Sequence, residues 1–169
     1  ITGASLQYAS SAGTFNQYHP LPNITLAAGQ TYLIQEAAGA SGTVDLVPDF
    51  VAPIPTNFGT GTNTVPGFAM AASTGKIALF SNAVQIATPT DANVLDFVGY
   101  GTANQSEGGT AAHAASATMS VARTNGVDTN NNGADFTAGT PSPKNSSLAV
   151  SDVNGIKINL VKNSNVTNT

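Results

Sequence analysis

The sequence predicts an all-β fold, and three observations carry this prediction. Strand-sized runs of alternating polar and apolar residues recur along the chain, whereas helical periodicity is hard to find. Turns rich in Gly, Pro and Asn separate these runs. Charged residues make up only 8% of the 169 residues, against about 25% in a typical soluble domain, while apolar residues reach 41%. Short strands with frequent turns are typical of a β-sandwich or a β-barrel.

Six segments carry the strand prediction, and their inward-facing apolar residues form the predicted core. In chain order these strands cover residues 5–9, 32–35, 76–80, 94–98, 118–123 and 156–162. The alternation within them assigns six residues to the core: Leu33, Ile77, Leu79, Leu95, Phe97 and Val121. Residues 44–67 have several Pro and Gly and no periodicity, so this segment is predicted to be a long surface loop. Such a loop is either functional or a variable insertion without a role.

A domain boundary is predicted near residue 145. Pro141 and Pro143 cannot continue a strand ladder, and the Asn-Ser-Ser run at 145–147 has the composition of a flexible spacer. A new alternating pattern begins after it. The sequence therefore predicts a β-domain over residues 1–145 and a linker with a second β-segment over residues 146–169.

Charge and composition argue against several classes of function. The net charge is −4, and the five basic residues are scattered rather than clustered, which argues against direct nucleic-acid binding. No apolar run approaches the roughly 18 residues of a membrane span, so no transmembrane segment is predicted. The chain has no cysteine, which excludes disulfides and thiolate metal sites.

The residues that could carry acid–base chemistry are few. His19 lies in a Tyr-His-Pro turn and His113 in an Ala-rich stretch, and neither accompanies a nucleophile elbow. Glu36 and Glu107 are the only glutamates, and a carboxylate pair for glycoside hydrolysis needs a defined separation across the sugar. No set of acid, base and nucleophile converges in the sequence, so the chain is predicted not to be an enzyme.

The run from Asp128 to Gly133 is the most site-like element. It matches the Asp-x-Asn-x-Asn-Gly half of a calcium loop, with oxygens on alternate residues and a Gly for the turn. The Glu expected at the twelfth loop position is replaced by Gly139. The hypothesis is a Ca²⁺ site whose ligands are Asp128, Asn130, Asn132 and Asp135. The alternative is a turn in which these side chains bond to the backbone.

Several ordered motifs in residues 1–145 resemble lamin tail domains of secreted bacterial proteins. The matching elements are Leu-Ala-Ala-Gly-Gln at 26–30, a Gly-Lys-apolar strand at 75–79, Asp-Phe-Val-Gly-Tyr-Gly at 96–101, Arg123 at a strand end, and Asp-Thr-Asn-Asn-Asn-Gly-Ala-Asp-Phe at 128–136. This resemblance implies an immunoglobulin-like β-sandwich without a catalytic centre of its own. The opening strands of the family are missing from the sequence, which predicts that the chain is a fragment of a longer polypeptide.

The tail from residue 148 resembles the start of a C-terminal sorting domain of the type IX secretion system of Bacteroidetes. The similarity lies in Ser-Asp-Val at 151–153 and in the strand at 156–162 with the Asn-Ser that follows it. It implies export to the cell surface or the medium and a partner in the secretion machinery. The alternative is that the tail is one more strand.

Two classes of function follow from these patterns. The first is a non-catalytic binding or structural module of a secreted or cell-surface bacterial protein, with a surface or glycan ligand. The second is an accessory domain of a secreted enzyme, such as an extracellular nuclease, whose catalytic part lies outside this chain.

Overall fold

The computed structural model describes residues 1–39 and 47–147 and shows a sheet-rich chain with few helices. The strands are β1 (Ser5–Ala9), β2 (Gln17–Pro20), β3 (Ile34–Gln35), β4 (Phe50–Val51), β5 (Thr56–Asn57), β6 (Gly75–Phe80), β7 (Val94–Tyr100), β8 (Ser120–Arg123) and β9 (Phe136–Gly139). One short helix, α1 (Asn132–Asp135), and two 3₁₀ turns, Glu107–Gly109 and Thr124–Gly126, lie between them. The all-β prediction is therefore confirmed at the level of class. The predicted strand at 156–162 lies outside the described residues.

A five-stranded antiparallel sheet is the centre of the fold. Its strand order is β5-β2-β1-β6-β7, so β1 pairs with its neighbour β2 and with the distant β6. Two smaller sheets accompany it: β3 and β4 pair in parallel, and β8 and β9 form an antiparallel pair.

One face of the central sheet carries the main core. Alternate residues of β1, β6 and β7 are buried there: Leu6, Tyr8, Ile77, Leu79, Val98 and Tyr100. Val121 and Phe136 of the β8–β9 pair are buried in the same cluster, and Ile34 and Phe50 of the β3–β4 pair pack against it. Both small sheets therefore cover the same face of the large one.

The opposite face is covered by loops. Phe80 and Phe97 are buried there with Phe15, whose ring meets that of Phe97 edge-on at 5.5 Å between centroids. Ile86, in the loop after β6, closes this second cluster. Of the predicted core, Ile77, Leu79, Phe97 and Val121 are confirmed because each is less than 5% exposed.

The core assignment is wrong for Leu95, which is 49% exposed. The pairing of β6 with β7 shifts register at this point, since Leu79 pairs with Asp96 whereas Phe80 pairs with Val94. Leu95 is the extra residue of this β-bulge, and a bulge turns the following side chains to the opposite faces. Leu33, also predicted in the core, is only half-buried.

The predicted loop at 44–67 is also partly wrong. Its described part contains β4 and β5, each only two residues long. Strands this short leave no periodic signal, because alternation needs four or more residues to be visible. The Tyr-His-Pro turn is likewise strand, as it belongs to β2.

The Gly-Tyr-Gly motif at the end of β7 has a steric origin. Gly101 has a φ of +65°, and a Cβ there would lie 2.0 Å from the carbonyl oxygen of Ser73. A Cβ on Gly99 would lie 2.1 Å from the carbonyl oxygen of Gln105. Only glycine fits at either position, so the two glycines of this motif allow two loops to approach the end of β7 closely.

The residues around the predicted domain boundary bond back to the β-domain. Ser146 donates its backbone N–H and its hydroxyl to the carboxylate of Asp49, and the Nδ2 of Asn145 donates to the carbonyl of Val47. The remainder of the second predicted segment lies outside the described residues, so its independence stays a prediction. Within residues 1–39 and 47–147, no helix is long and apolar enough to cross a membrane.

Candidate functional site

The buried guanidinium of Arg123 collects carboxylates from four parts of the chain. Its Nη2 bonds to Asp96 of β7, and its Nη1 lies 2.9 Å from Asp128 and 3.4 Å from Asp135. Glu107 completes the set, with its Oε2 3.8 Å from Nη2. Strand β8 aims the side chain inward, because Arg123 and Val121 occupy alternate positions on one face of that strand.

Burial and neighbouring charges shift the pKa values of two carboxylates at Arg123 in opposite directions. Burial, followed by the charges of Asp96 and Asp128, raises the pKa of Glu107 to about 7, although Arg123 and Asn132 oppose the shift. Burial alone would raise the pKa of Asp135, but hydrogen bonds and Arg123 lower it overall. Glu107 therefore exchanges a proton near neutral pH.

Asn132 links this cluster to the outer edge of β7. Its Oδ1 accepts from the backbone N–H of Gly99 at 2.9 Å, and its Nδ2 donates to the carbonyl of Phe97 at 2.9 Å. The side-chain amide thus pairs with the strand as a peptide group of a neighbouring strand would. Nδ2 also donates to Oε2 of Glu107 at 2.9 Å, and the residue is fully buried.

Three of the four predicted calcium ligands, Asp128, Asn132 and Asp135, accept hydrogen bonds from protein N–H groups. Asp128 accepts from Asn130 N and from Arg123, and Asp135 accepts from Thr129 and Asn131. Asn130 is exposed and has a φ of +55°, as asparagine tolerates in turns.

These contacts match the alternative of a turn held by side chain-to-backbone bonds. Across the ranges that the structure covers, no group of three or more His, Cys, Asp or Glu is placed to hold a metal ion. A calcium ion would have to displace the N–H donors at Asp128, Asn132 and Asp135, so the geometry does not favour it and calcium binding stays a prediction.

His19 and Glu36 are the two acid–base candidates that the fold brings together. The Nε2 of His19 lies 2.8 Å from Oε1 of Glu36, and its Nδ1 lies 3.1 Å from the carbonyl of Pro20. The other oxygen of Glu36 accepts from Phe68 N at 2.7 Å. His19 is fully buried against the ring of Phe68, with centroids 4.8 Å apart. The pair ties β2 to the segments around residues 36 and 68.

His113 has a different environment, on the surface. It lies in an open cleft of about 450 Å³ whose other lining groups include Ser73, Thr74, Gly101 and Thr102. Glu107 belongs to the Arg123 cluster. The structure therefore pairs His19 with Glu36 and assigns His113 and Glu107 to separate sites.

Lys76 is a buried polar residue that the sequence did not single out. Its ammonium donates to the carbonyl of Gly13, to Asn104 at 2.7 Å and to Gln105 at 3.2 Å. Burial lowers its pKa. A signal was present in the sequence, since a lysine next to Ile77 within a strand must be on the face where Phe80 is buried. Lys76 therefore connects the loops that contain Gly13 and residues 104–105 to the beginning of β6.

Comparison of the chain with protein-family models, with curated proteins and with solved structures found no match.

Proposed function

We propose that this chain is a non-catalytic binding or structural module of a secreted or cell-surface bacterial protein. The observation that carries the proposal is that the buried polar side chains form hydrogen bonds and ion pairs within the protein. Arg123, His19, Lys76 and Asn132 are buried, and each bonds loops or carboxylates to the central sheet. Side chains held in this way stabilise a rigid β-scaffold, and surface loops on such a scaffold commonly carry recognition.

The scaffold proposed here is an immunoglobulin-like sandwich of the lamin tail type. Two features support it. Both small sheets contribute to the cluster on one face of the central sheet, as the second layer of a sandwich would. The motifs that carry the resemblance coincide with structural contacts, because Arg123 meets Asp96 and Asn132 meets the Gly-Tyr-Gly strand.

Catalysis by the chain itself is tested with the purified 169-residue protein. We expect no turnover of DNA, esters or glycans, because the polar side-chain atoms of His19 and Glu36 are engaged in hydrogen bonds within the protein. Turnover that is lost in the exposed-site variant His113→Ala, or in His19→Gln with an unchanged fold, would contradict the proposal. An Ala114→Ser variant, in the same cleft as His113, is the matched control.

Export is the second part of the proposal, and the tail at 148–169 is its proposed signal. In the full-length parent protein, deletion of this tail with whatever follows it should abolish appearance outside the cell. The melting temperature of the β-domain should stay unchanged. A collapsed melting temperature would instead mean that the tail completes the domain, and export without the tail would exclude a sorting role.

A further inference from the structure

A shallow cleft at the β5 edge of the central sheet has the composition of a sugar-binding subsite. It has a volume of about 220 Å³ and is lined by Gln17, Thr62, Asn63, Thr64, Val65, Gly67 and Ala69. The lining residues carry no charge, and the polar ones are amides and hydroxyls. The volume is below the roughly 300 Å³ of the smallest drug-sized sites, so the cleft suits one small ring rather than a long ligand.

The amides of this cleft are held in fixed orientations. The Nε2 of Gln17 donates to Oδ1 of Asn63 at 2.8 Å. The Nδ2 of Asn63 in turn donates to Pro55 O and to Oδ1 of Asn57, both at 2.8 Å. Both N–H groups of Asn63 Nδ2 have acceptors, so its Oδ1 accepts from Gln17. Because the Nε2 of Gln17 is directed at Asn63, the Oε1 of the same amide lies on the side away from Asn63.

The remaining polar groups at the cleft are available to a ligand. Among the described residues, Oε1 of Gln17 and the hydroxyls of Thr62 and Thr64 make no hydrogen bond. Both threonines are exposed, and Val65 beside them is 58% exposed. A fixed acceptor, two rotatable hydroxyls and an aliphatic side chain match a sugar, whose hydroxyls both donate and accept and whose ring has apolar C–H faces.

We propose that this cleft binds one residue of a neutral glycan. The inference rests on the proposed function as a binding module and names its ligand class. The absence of charge in the lining favours a neutral sugar over an acidic one, which would need a cation for its carboxylate or sulfate. A peptide is less well matched, because peptides are recognised through backbone edges and apolar pockets rather than through oriented side-chain amides.

The test is a glycan array of neutral and acidic oligosaccharides, probed with the whole 169-residue chain and followed by calorimetry on the best neutral binder. Thr64→Val and Gln17→Ala should each weaken binding about tenfold, the effect of one lost hydrogen bond. Thr118→Val, an exposed threonine far along the chain, is the matched control and should bind normally. Thermal unfolding of each variant checks the fold.

Each outcome bears on a different statement. Neutral binding that is weakened by Thr64→Val, with an unchanged melting temperature, supports the inference. If both cleft variants still bind the neutral glycan normally, the assignment of the binding site to this cleft is wrong. If the protein binds only acidic glycans, only peptides or no ligand, the assignment of a neutral glycan as the ligand is wrong. The proposed function survives all of these results, whereas cleavage of the glycans would contradict the proposed function itself.

Discussion

Arg123 illustrates how a single residue organises the loops of this protein. One guanidinium faces the carboxylates of Asp96, Glu107, Asp128 and Asp135, and its face covers the ring of Phe136 at 4.7 Å. Burial, together with the charges of Asp96 and Asp128, raises the pKa of Glu107 to about 7, so this acid holds a proton more readily in the folded protein.

Glu107→Gln should remove part of the pH dependence of stability. The pKa of Glu107 is raised from 4.5 to about 7 in the fold, so the folded state binds this proton more tightly than the unfolded state. Wild-type stability should therefore fall as pH rises from about 4.5 to about 7, by about 1–2 kcal/mol after allowance for solvent screening of a half-buried group.

Urea unfolding at pH 4.5 and at pH 7.5 measures this difference. Glu107→Gln should show a smaller loss across the interval, since the amide mimics the protonated acid. Asp91→Asn is the control, because hydrogen bonds from Ala87 and Thr88 lower the pKa of Asp91. Its contribution is therefore lost only in more acidic solution. Equal pH dependence in wild type and Glu107→Gln would refute the assignment.

Asn132→Asp should be strongly destabilising even though it changes one atom. The substitution removes the donor to the Phe97 carbonyl and adds a buried negative charge beside Glu107. We expect a loss of about 3 kcal/mol or more in the free energy of unfolding.

The neighbouring residue provides a matched control for this prediction. Asn131 caps α1 by accepting from Ala134 N through Oδ1, and aspartate keeps that acceptor. Asn131→Asp should therefore change stability by less than about 1 kcal/mol. Chemical denaturation of both variants at neutral pH makes the comparison, and equal losses would show that charge alone is responsible.

The site was predictable from sequence only in part. The Asp-Thr-Asn-Asn-Asn-Gly run stood out by composition, and both of its alternatives concerned local contacts within the turn. The decisive partners lie outside the run: Arg123 is five residues before Asp128, and Gly99 of β7 is 33 residues from Asn132. Spacing within one motif carries no information about either partner. Local sequence patterns do not contain tertiary contacts of this kind, so this portion of the site could not be predicted.

At the scale of secondary-structure elements, the alternation of polar and apolar residues predicted the long strands well but gave the wrong burial for Leu95 at the β-bulge. Strands β1, β6, β7 and β8 coincide with predicted segments, because runs of four or more residues show a period of two. The bulge between Leu79 and Phe80 breaks the period, and nothing in the sequence marks it. The two-residue strands escaped prediction because their pairing is set by neighbours rather than by their own residues.

The bulge leads us to expect different losses of stability when two leucines on paired strands are replaced by alanine. Leu79 is 4% exposed, so Leu79→Ala should cost about 2–5 kcal/mol. Leu95 is 49% exposed at the bulge, so Leu95→Ala should cost less than about 1 kcal/mol. Thermal and urea unfolding of the two variants provide the comparison. A large loss for Leu95→Ala would mean that the register of β7 is that of the simple alternation.

At the scale of the whole molecule, the segment at 145–147 is fastened to the region before β4. Asp49 accepts from Leu33 N at 2.7 Å and from Ser146 N at 2.8 Å. Burial alone would raise the pKa of Asp49, but hydrogen bonds from Ser146 and Leu33 lower it overall. The Asp49 carboxylate therefore joins residue 146 to the segment that precedes β3, alongside the bond from Asn145 to Val47.

Asp49→Ala should release that segment without unfolding the central sheet. We expect the backbone amides of Ser146 and Leu33 to exchange with solvent at least about tenfold faster, because each loses its acceptor. Amides in β1 and β6 should stay protected. Hydrogen exchange followed by NMR measures both sets, and Asp91→Ala is the control, since Asp91 holds only its own turn. Unchanged exchange at Ser146 would exclude the proposed attachment.

The pairing of β1 with β6 has a consequence for how the chain acquires its structure. These strands lie side by side at the centre of the sheet, yet their paired residues are about 70 positions apart in sequence. The local hairpin of β1 and β2 can form early, but one side of β1 stays bare until residues 75–80 arrive. Contacts this far apart in sequence slow folding, so it should take milliseconds to seconds and require at least the first 80 residues. A growing chain that is shorter than this therefore leaves the β6 side of β1 without its partner strand.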